Sequence, residues 1–216
     1  MNNYITAVCA IKNGKVMIND KVDFTNNAAG SDVDFLKSVY LHYQVSYPKF
    51  YKMDSLCKLA MVASELLIKT NKITERYKSE DIAIVIANSG SSLEVDTEHQ
   101  KAISDKVNYF PSPAVFVYTL PNILIGEIAI RNKIKGENTF FIFDKFDAEF
   151  MSSYVNSLLN SNKEECCITG WVEFYDNNYE AFLITVEKNK EGNLNITNTK
   201  EELTKLYINQ AQLAAS

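Results

Sequence analysis

KGENTFFIFDKFDAEF, residues Lys135 to Phe150, reads as a strand that runs into a sharp turn and then a helix. Thr139 to Phe143 is an apolar, aromatic run of strand length. A helix follows from about Asp147 to Leu159. Many enzymes place a nucleophile at the tip of such a turn. Here the turn carries Asp144, Lys145 and Phe146.

Outward from this point the chain alternates strands and helices. On its N-terminal side, PNILIGEIAIRNKI reads as a helix opened by Pro121, since the first N–H of a helix has no internal partner. Gly126 in its middle costs about 1 kcal/mol relative to alanine, which predicts tight packing against that position. Further upstream, Ile82 to Ile86 is a continuous β-branched run, the pattern of a central strand covered on both faces. It ends in the small-residue turn Asn88-Ser89-Gly90-Ser91-Ser92. A polar segment and the loop YFPSPAVF follow. MDSLCKLAMVASELLIKT is the clearest helix: Leu56, Leu59, Ala60, Ala63, Leu66 and Leu67 keep helical spacing, and Asp54 is placed to cap it. Before it come a hairpin, Tyr4 to Ile11 and Lys15 to Ile18 around Asn13-Gly14, a loop at Thr25 to Ser31, and a short helix at Asp32 to Tyr43. After the opening stretch come strands at Cys166 to Phe174 and Glu180 to Glu187, an edge strand at Asn193 to Thr197, and a last helix behind the capping box Thr199-Lys200-Glu201-Glu202. The expected fold is α/β and layered, with a mixed central sheet and helices on both faces, in one domain spanning 1–216.

The 216 residues carry a net charge of −5, with 46% hydrophobic and 23% charged residues. No basic surface is left to grip nucleic acid or anionic lipid. The apolar runs are too short to span a bilayer, and the first residues lack the pattern of a signal peptide. A cytoplasmic protein is expected. Cys9, Cys57, Cys166 and Cys167 have no paired spacing, and Cys166 and Cys167 point to opposite faces of their strand. With no CxxC and only His42 and His99, neither a metal nor a cofactor is expected.

Met53 to Glu173 resembles the N-terminal half of β-ketoacyl synthases, which have the thiolase fold. The matching pieces are the helix MDSLCKLAMVASELL, the strand and turn AIVIANSGSS, the helix PNILIGEIAIRNKIKG, the strand–turn–helix of the opening stretch, and Gly170-Trp171-Val172-Glu173 at the family's glycine-glycine-alanine-glutamate signature. In this alignment Lys145 stands at the position of the catalytic cysteine. The resemblance implies a departure in chemistry. A synthase needs a thiolate to carry its acyl chain as a thioester, whereas an acyl-lysine would be a stable amide. The two catalytic histidines of the family lie in a C-terminal half that this sequence does not match. Phe141, Phe143 and Phe146 replace small residues and would fill an acyl pocket.

The resemblance therefore implies an inactive subunit akin to a chain-length factor, like the short ketosynthase-like proteins of aryl-polyene or flexirubin-type pathways. Its partner would be a full-length ketosynthase in a heterodimer. The alternative is a stand-alone module, homodimeric, that binds an acyl group or an acyl carrier protein. Tyr109, Phe110, Phe116 and Tyr118 line an acyl tunnel or an interface in one reading and are core aromatics in the other. Phe146 belongs to the same candidate surface. For Lys145 a solvated or salt-bridged lysine, paired with Asp144 and Asp147, is favoured over a functional one. Ser89, Ser91 and Ser92 read as a plain turn, and His99 as a surface histidine among polar neighbours.

Overall fold

The computed structural model describes residues 2–26, 32–104, 107, 109–176 and 178–216. The part of the expected Thr25–Ser31 loop at 27–31 lies outside the described residues. The chain runs β1 (Tyr4–Lys12), β2 (Lys15–Ile18), β3 (Lys21–Thr25), α1 (Asp32–His42), a 3-10 turn (Pro48–Lys52), α2 (Ser55–Asn71) and α3 (Ile73–Arg76). It continues with β4 (Ile82–Asn88), α4 (Leu93–Ser104), α5 (Pro113–Val117), α6 (Ile123–Asn132), β5 (Asn138–Ile142), α7 (Ala148–Asn160), β6 (Cys166–Tyr175), β7 (Asn178–Glu187), β8 (Ile196–Thr197) and α8 (Lys200–Ala215).

One mixed sheet has the order β3-β2-β1-β7-β6-β4-β5, with β8 paired to the start of β1. β4 is parallel to both β5 and β6, and the remaining pairs are antiparallel. This arrangement puts helices on both faces. From β4 the chain steps to β5 on one side, then back past β4 to β6 on the other. Right-handed crossovers in opposite directions place α6 and α7 on opposite faces. β4 is buried along its whole length, as its unbroken apolar run predicts.

Two apolar layers result. α1, α2 and α6 cover one face, packing on Cys9, Ile11, Ile84, Ile86, Cys166 and Ile168. α7 and α8 cover the other, over Val8, Ala10, Val85, Cys167, Trp171 and Phe182. Cys166 and Cys167 do face opposite layers, and all four cysteines are free and buried. β1 alternates with one break, a bulge between Ile5 and Ala7. It places the Thr6 hydroxyl 2.9 Å from Asn71 Nδ2 at the end of α2. Gly170 permits the contact of β6 with β7. Its φ is +146°, and a Cβ there would lie 1.9 Å from the Phe182 carbonyl oxygen.

Several expectations need correction. The polar segment forms α4 at residues 93–104, the expected loop YFPSPAVF holds most of the short helix α5, and Lys21–Thr25 is an additional edge strand. α6 begins at Ile123 behind Asn122, so Pro121 precedes the helix instead of opening it. Nothing packs tightly on Gly126: an added Cβ would meet no atom within 4 Å. The edge strand near the end is only Ile196–Thr197. The last helix packs on its own chain. Thr199 caps it by accepting from the Glu202 N–H at 3.3 Å, and Leu203, Leu206 and Ala214 enter the second layer.

Candidate functional site

The strand–turn–helix at 138–160 forms as the sequence predicts. Phe143 extends β5 by one backbone bond, its N–H reaching the Asn88 carbonyl at 2.9 Å. Asp147 then caps α7, its carboxylate accepting from the Phe150 N–H at 2.9 Å. Between them Asp144 and Lys145 are exposed at the tip. No carboxylate among the described residues lies within ion-pair distance of Lys145, so the expected pairing with Asp144 and Asp147 is absent. The tip borders an open depression of about 650 Å³ between the start of α7 and Lys200, Thr204 and Tyr207 of α8.

The three phenylalanines of the elbow divide. Phe146 turns inward against Trp171, Phe182 and Tyr207, with ring centroids 6.3, 5.5 and 4.6 Å away. It fills the space beneath the tip. Phe141 and Phe143 do not join it, contrary to expectation. They meet Phe150 and Tyr154 of α7 edge to face at 4.9 to 5.0 Å, since alternate residues of a strand share one face and α7 covers that face.

The turn after β4 lies beside the elbow. The buried Asn88 side chain closes it through bonds to both Ser91 N and Ser91 O, at 2.9 and 2.8 Å. Glu173 holds it from β6, accepting from Ser89 N at 2.7 Å, Ser89 Oγ at 2.5 Å and Gly90 N at 3.1 Å. The glutamate of the signature is therefore a loop anchor. Ser92, buried, donates to the Thr119 carbonyl at 2.7 Å.

That last bond leads to the aromatic segment. Tyr109, Phe110 and Phe116 are exposed, Phe110 by 80%, which removes the core reading for these three. Tyr118 is half-buried against the first layer, and its hydroxyl points at Glu127 from 3.5 Å. Val117 and Leu120 extend the exposed apolar surface, and Ile130 of α6 adds 68% exposure nearby in sequence. His99 is half-buried, not a free surface histidine: its ring packs 5.5 Å from Phe116, and Nδ1 has no hydrogen-bond partner among the described residues. His42 stacks on Phe24 at 4.4 Å, far in the chain from this segment.

All four thiols are buried, and burial pushes them well above the ordinary range, so none is a poised nucleophile. Among the described residues no His, Cys, Asp and Glu group could hold a metal ion, and no helix is long and apolar enough to cross a membrane.

The sequence missed Glu127. It is a carboxylate at 4% exposure inside the apolar run 123–130 of α6, and that anomaly was its only signal. Lys49 Nζ binds it at 2.6 Å and the Tyr47 hydroxyl approaches at 3.4 Å.

Sheet order, crossovers and elbow together define a thiolase-like fold, that of ketosynthase and chain-length-factor structures. The ishigamide ketosynthase/chain length factor matches 88% of this chain and 63% of its own, with 16% identity and a TM-score of 0.62. A ketosynthase (ApeO) in complex with its chain length factor (ApeC) from Xenorhabdus doucetiae matches the whole chain and 93% of its own, at 13% identity and TM-score 0.58. The AntDE:AntF complex of a type II polyketide acyl-carrier protein with its ketosynthase matches 87% and 62%, at 15% identity and 0.57. This chain thus spans less than two thirds of the first and third structures and nearly all of the second. No family profile matches it, and no curated protein does.

Proposed function

We propose that this chain is a non-catalytic ketosynthase-like subunit, one domain over residues 1–216, that pairs with a full-length ketosynthase in cytoplasmic fatty-acid or polyketide assembly. The observation that carries the reading is the elbow. Its strand, turn and capped helix are intact, yet the tip presents the exposed Lys145 and the space beneath is filled by Phe146. An amine there forms an amide with an acyl group and does not pass it on.

The sheet edges support pairing. β3 carries Lys21 and Asp23, the charges that protect an edge from another chain. β5 is the opposite edge, and its sequence NTFFI has neither charge nor proline. Ile142, its last residue, is exposed, as are Phe116, Val117, Leu120 and Ile130. A partner strand along β5 would satisfy the edge and cover the apolar surface. The similar structures that join a ketosynthase with a chain length factor favour a ketosynthase as that partner.

The test is native mass spectrometry of the tagged chain drawn from its own cells, with a condensation assay of the purified chain on malonyl carrier protein. A full-length ketosynthase in fixed ratio, and no condensation by the chain alone, are expected. Recovery only as a homodimer, or an acyl thioester that turns over, would sink the proposal.

A further inference from the structure

We infer that Glu127 is a positioning residue: it latches the aromatic segment 109–120 and the turn at 47–49 onto α6, and so sets the shape of the surface offered to a partner. Its bearing on pairing rests on the reading above, whereas its test does not.

The segment has few anchors. Tyr109 and Phe110 stand in solvent, and the exposed Phe116 touches the body of the protein through the His99 ring of α4 at 5.5 Å. Two polar contacts at adjacent residues hold its C-terminal end. Ser92 takes the Thr119 carbonyl, and Glu127 receives the Tyr118 hydroxyl. Glu127 also joins this end to a second strand of chain that is remote in sequence. Lys49 binds the same oxygen as Tyr118, while Tyr47 approaches the other oxygen. One turn further along α6, Arg131 stacks on the Tyr47 ring at 5.3 Å and forks onto Glu65 of α2 at 3.0 and 3.3 Å. The two phenols and the ammonium all point toward one buried carboxylate.

A buried charge with a single cation persists only when its remaining lone pairs are also answered. Tyr118 and Tyr47 answer them. Burial, followed by the neighbouring Glu127 charge, raises both phenols above their ordinary value, so each keeps its proton and remains a donor. A leucine at 127 would leave the Lys49 ammonium and both phenols without this acceptor. The carboxylate gives direction: it fixes where Tyr118 sits at the end of α5, whose Phe116 also rests on His99 of α4.

Hydrogen exchange on the isolated full chain tests the latch. In Glu127→Ala, peptides covering 113–120 and 45–52 are expected to exchange about tenfold faster, while peptides of β4 and β6 keep wild-type rates, as for a local opening. Glu127→Gln, which still accepts hydrogen bonds, should restore part of the protection. Tyr118→Phe should accelerate 113–120 and leave 45–52 unchanged. Unchanged exchange at 113–120 in a folded Glu127→Ala overturns the inference, and so does parallel acceleration of β4 and β6. If Glu127→Ala does not fold, Tyr118→Phe decides alone: normal protection at 113–120 overturns it. None of these readings requires a ketosynthase, so failure of the latch and failure of the pairing proposal are separable.

Discussion

Arg76 meets Glu187 fork to fork, with Nη1 2.6 Å and Nη2 2.9 Å from the two carboxylate oxygens. Glu187 is fully buried and also receives Asn71 Nδ2, the Tyr77 hydroxyl and the Thr6 hydroxyl. The pair therefore ties α3 and the end of α2 to β1 and β7. Breaking it from one side leaves a charge in the core. Arg76→Met is expected to cost about 3–5 kcal/mol, read as a lower urea midpoint, and the double change Arg76→Met, Glu187→Met should recover much of it.

The same pair predicts an acid limit. Burial raises the Glu187 carboxyl, but hydrogen bonds from Arg76, Thr6 and Tyr77 outweigh it and hold the group below its ordinary 4.5. As pH falls through 4.5 the unfolded chain takes up this proton before the folded chain does. The contribution is complete above that pH and is lost as the pH drops toward the lower folded value. Urea midpoints between pH 7 and 3 should fall more steeply for wild type than for the double variant. Equal slopes would refute the assignment.

Gly170→Ala is expected to cost about 3 kcal/mol or more, because the backbone is left-handed and the new methyl would strike the Phe182 carbonyl. Thermal unfolding checks this. A melting temperature within a degree or two of wild type would show that β6 and β7 can separate without penalty.

Gly126→Ala should stabilise the isolated chain by about 0.5–1 kcal/mol, since the helix gains propensity and the methyl meets open space. Gly126→Leu should fold equally well. If the outer face of α6 meets a partner, the leucine variant should bring down about tenfold less ketosynthase from cells. Undiminished recovery would place the interface elsewhere.

Lys145→Ala is expected to change stability by no more than about 0.5 kcal/mol, the side chain being exposed and without an ion pair among the described residues. Lys145→Cys should take up one equivalent of iodoacetamide under native conditions, whereas the four buried cysteines of the wild type should resist. It should still not condense acyl groups with malonyl carrier protein. Turnover by this variant would mean that the tip residue alone separates the chain from an enzyme.

Features with local causes are legible along the chain. The stripe of α2, the continuous apolar run of β4, the caps at Asp54 and Thr199, and the elbow with lysine at its tip all depend on residues a few positions apart. Periodicity and side-chain capping act over that range, so they are legible in order along the chain. The polar segment that became α4 was not legible, because its stripe is weak and Val95 is its one fully buried residue. Gly126 was legible as an anomaly and misread, since a glycine's cost is intrinsic while its reason lies in whatever approaches it.

Which side chains meet across the chain depends on the folded course of the backbone. Arg76 and Glu187 are 111 residues apart, and Tyr47 and Glu127 are 80 apart. No local pattern selects those pairs. The order of the strands and the hand of the crossovers do, by fixing which helix lies on which face. The same topology sent Phe146 inward and Phe141 and Phe143 onto α7, left Tyr109, Phe110 and Phe116 exposed, and folded α8 back over its own sheet. The apolar character of these residues could be read from sequence, but their direction follows from the three-dimensional course of the backbone.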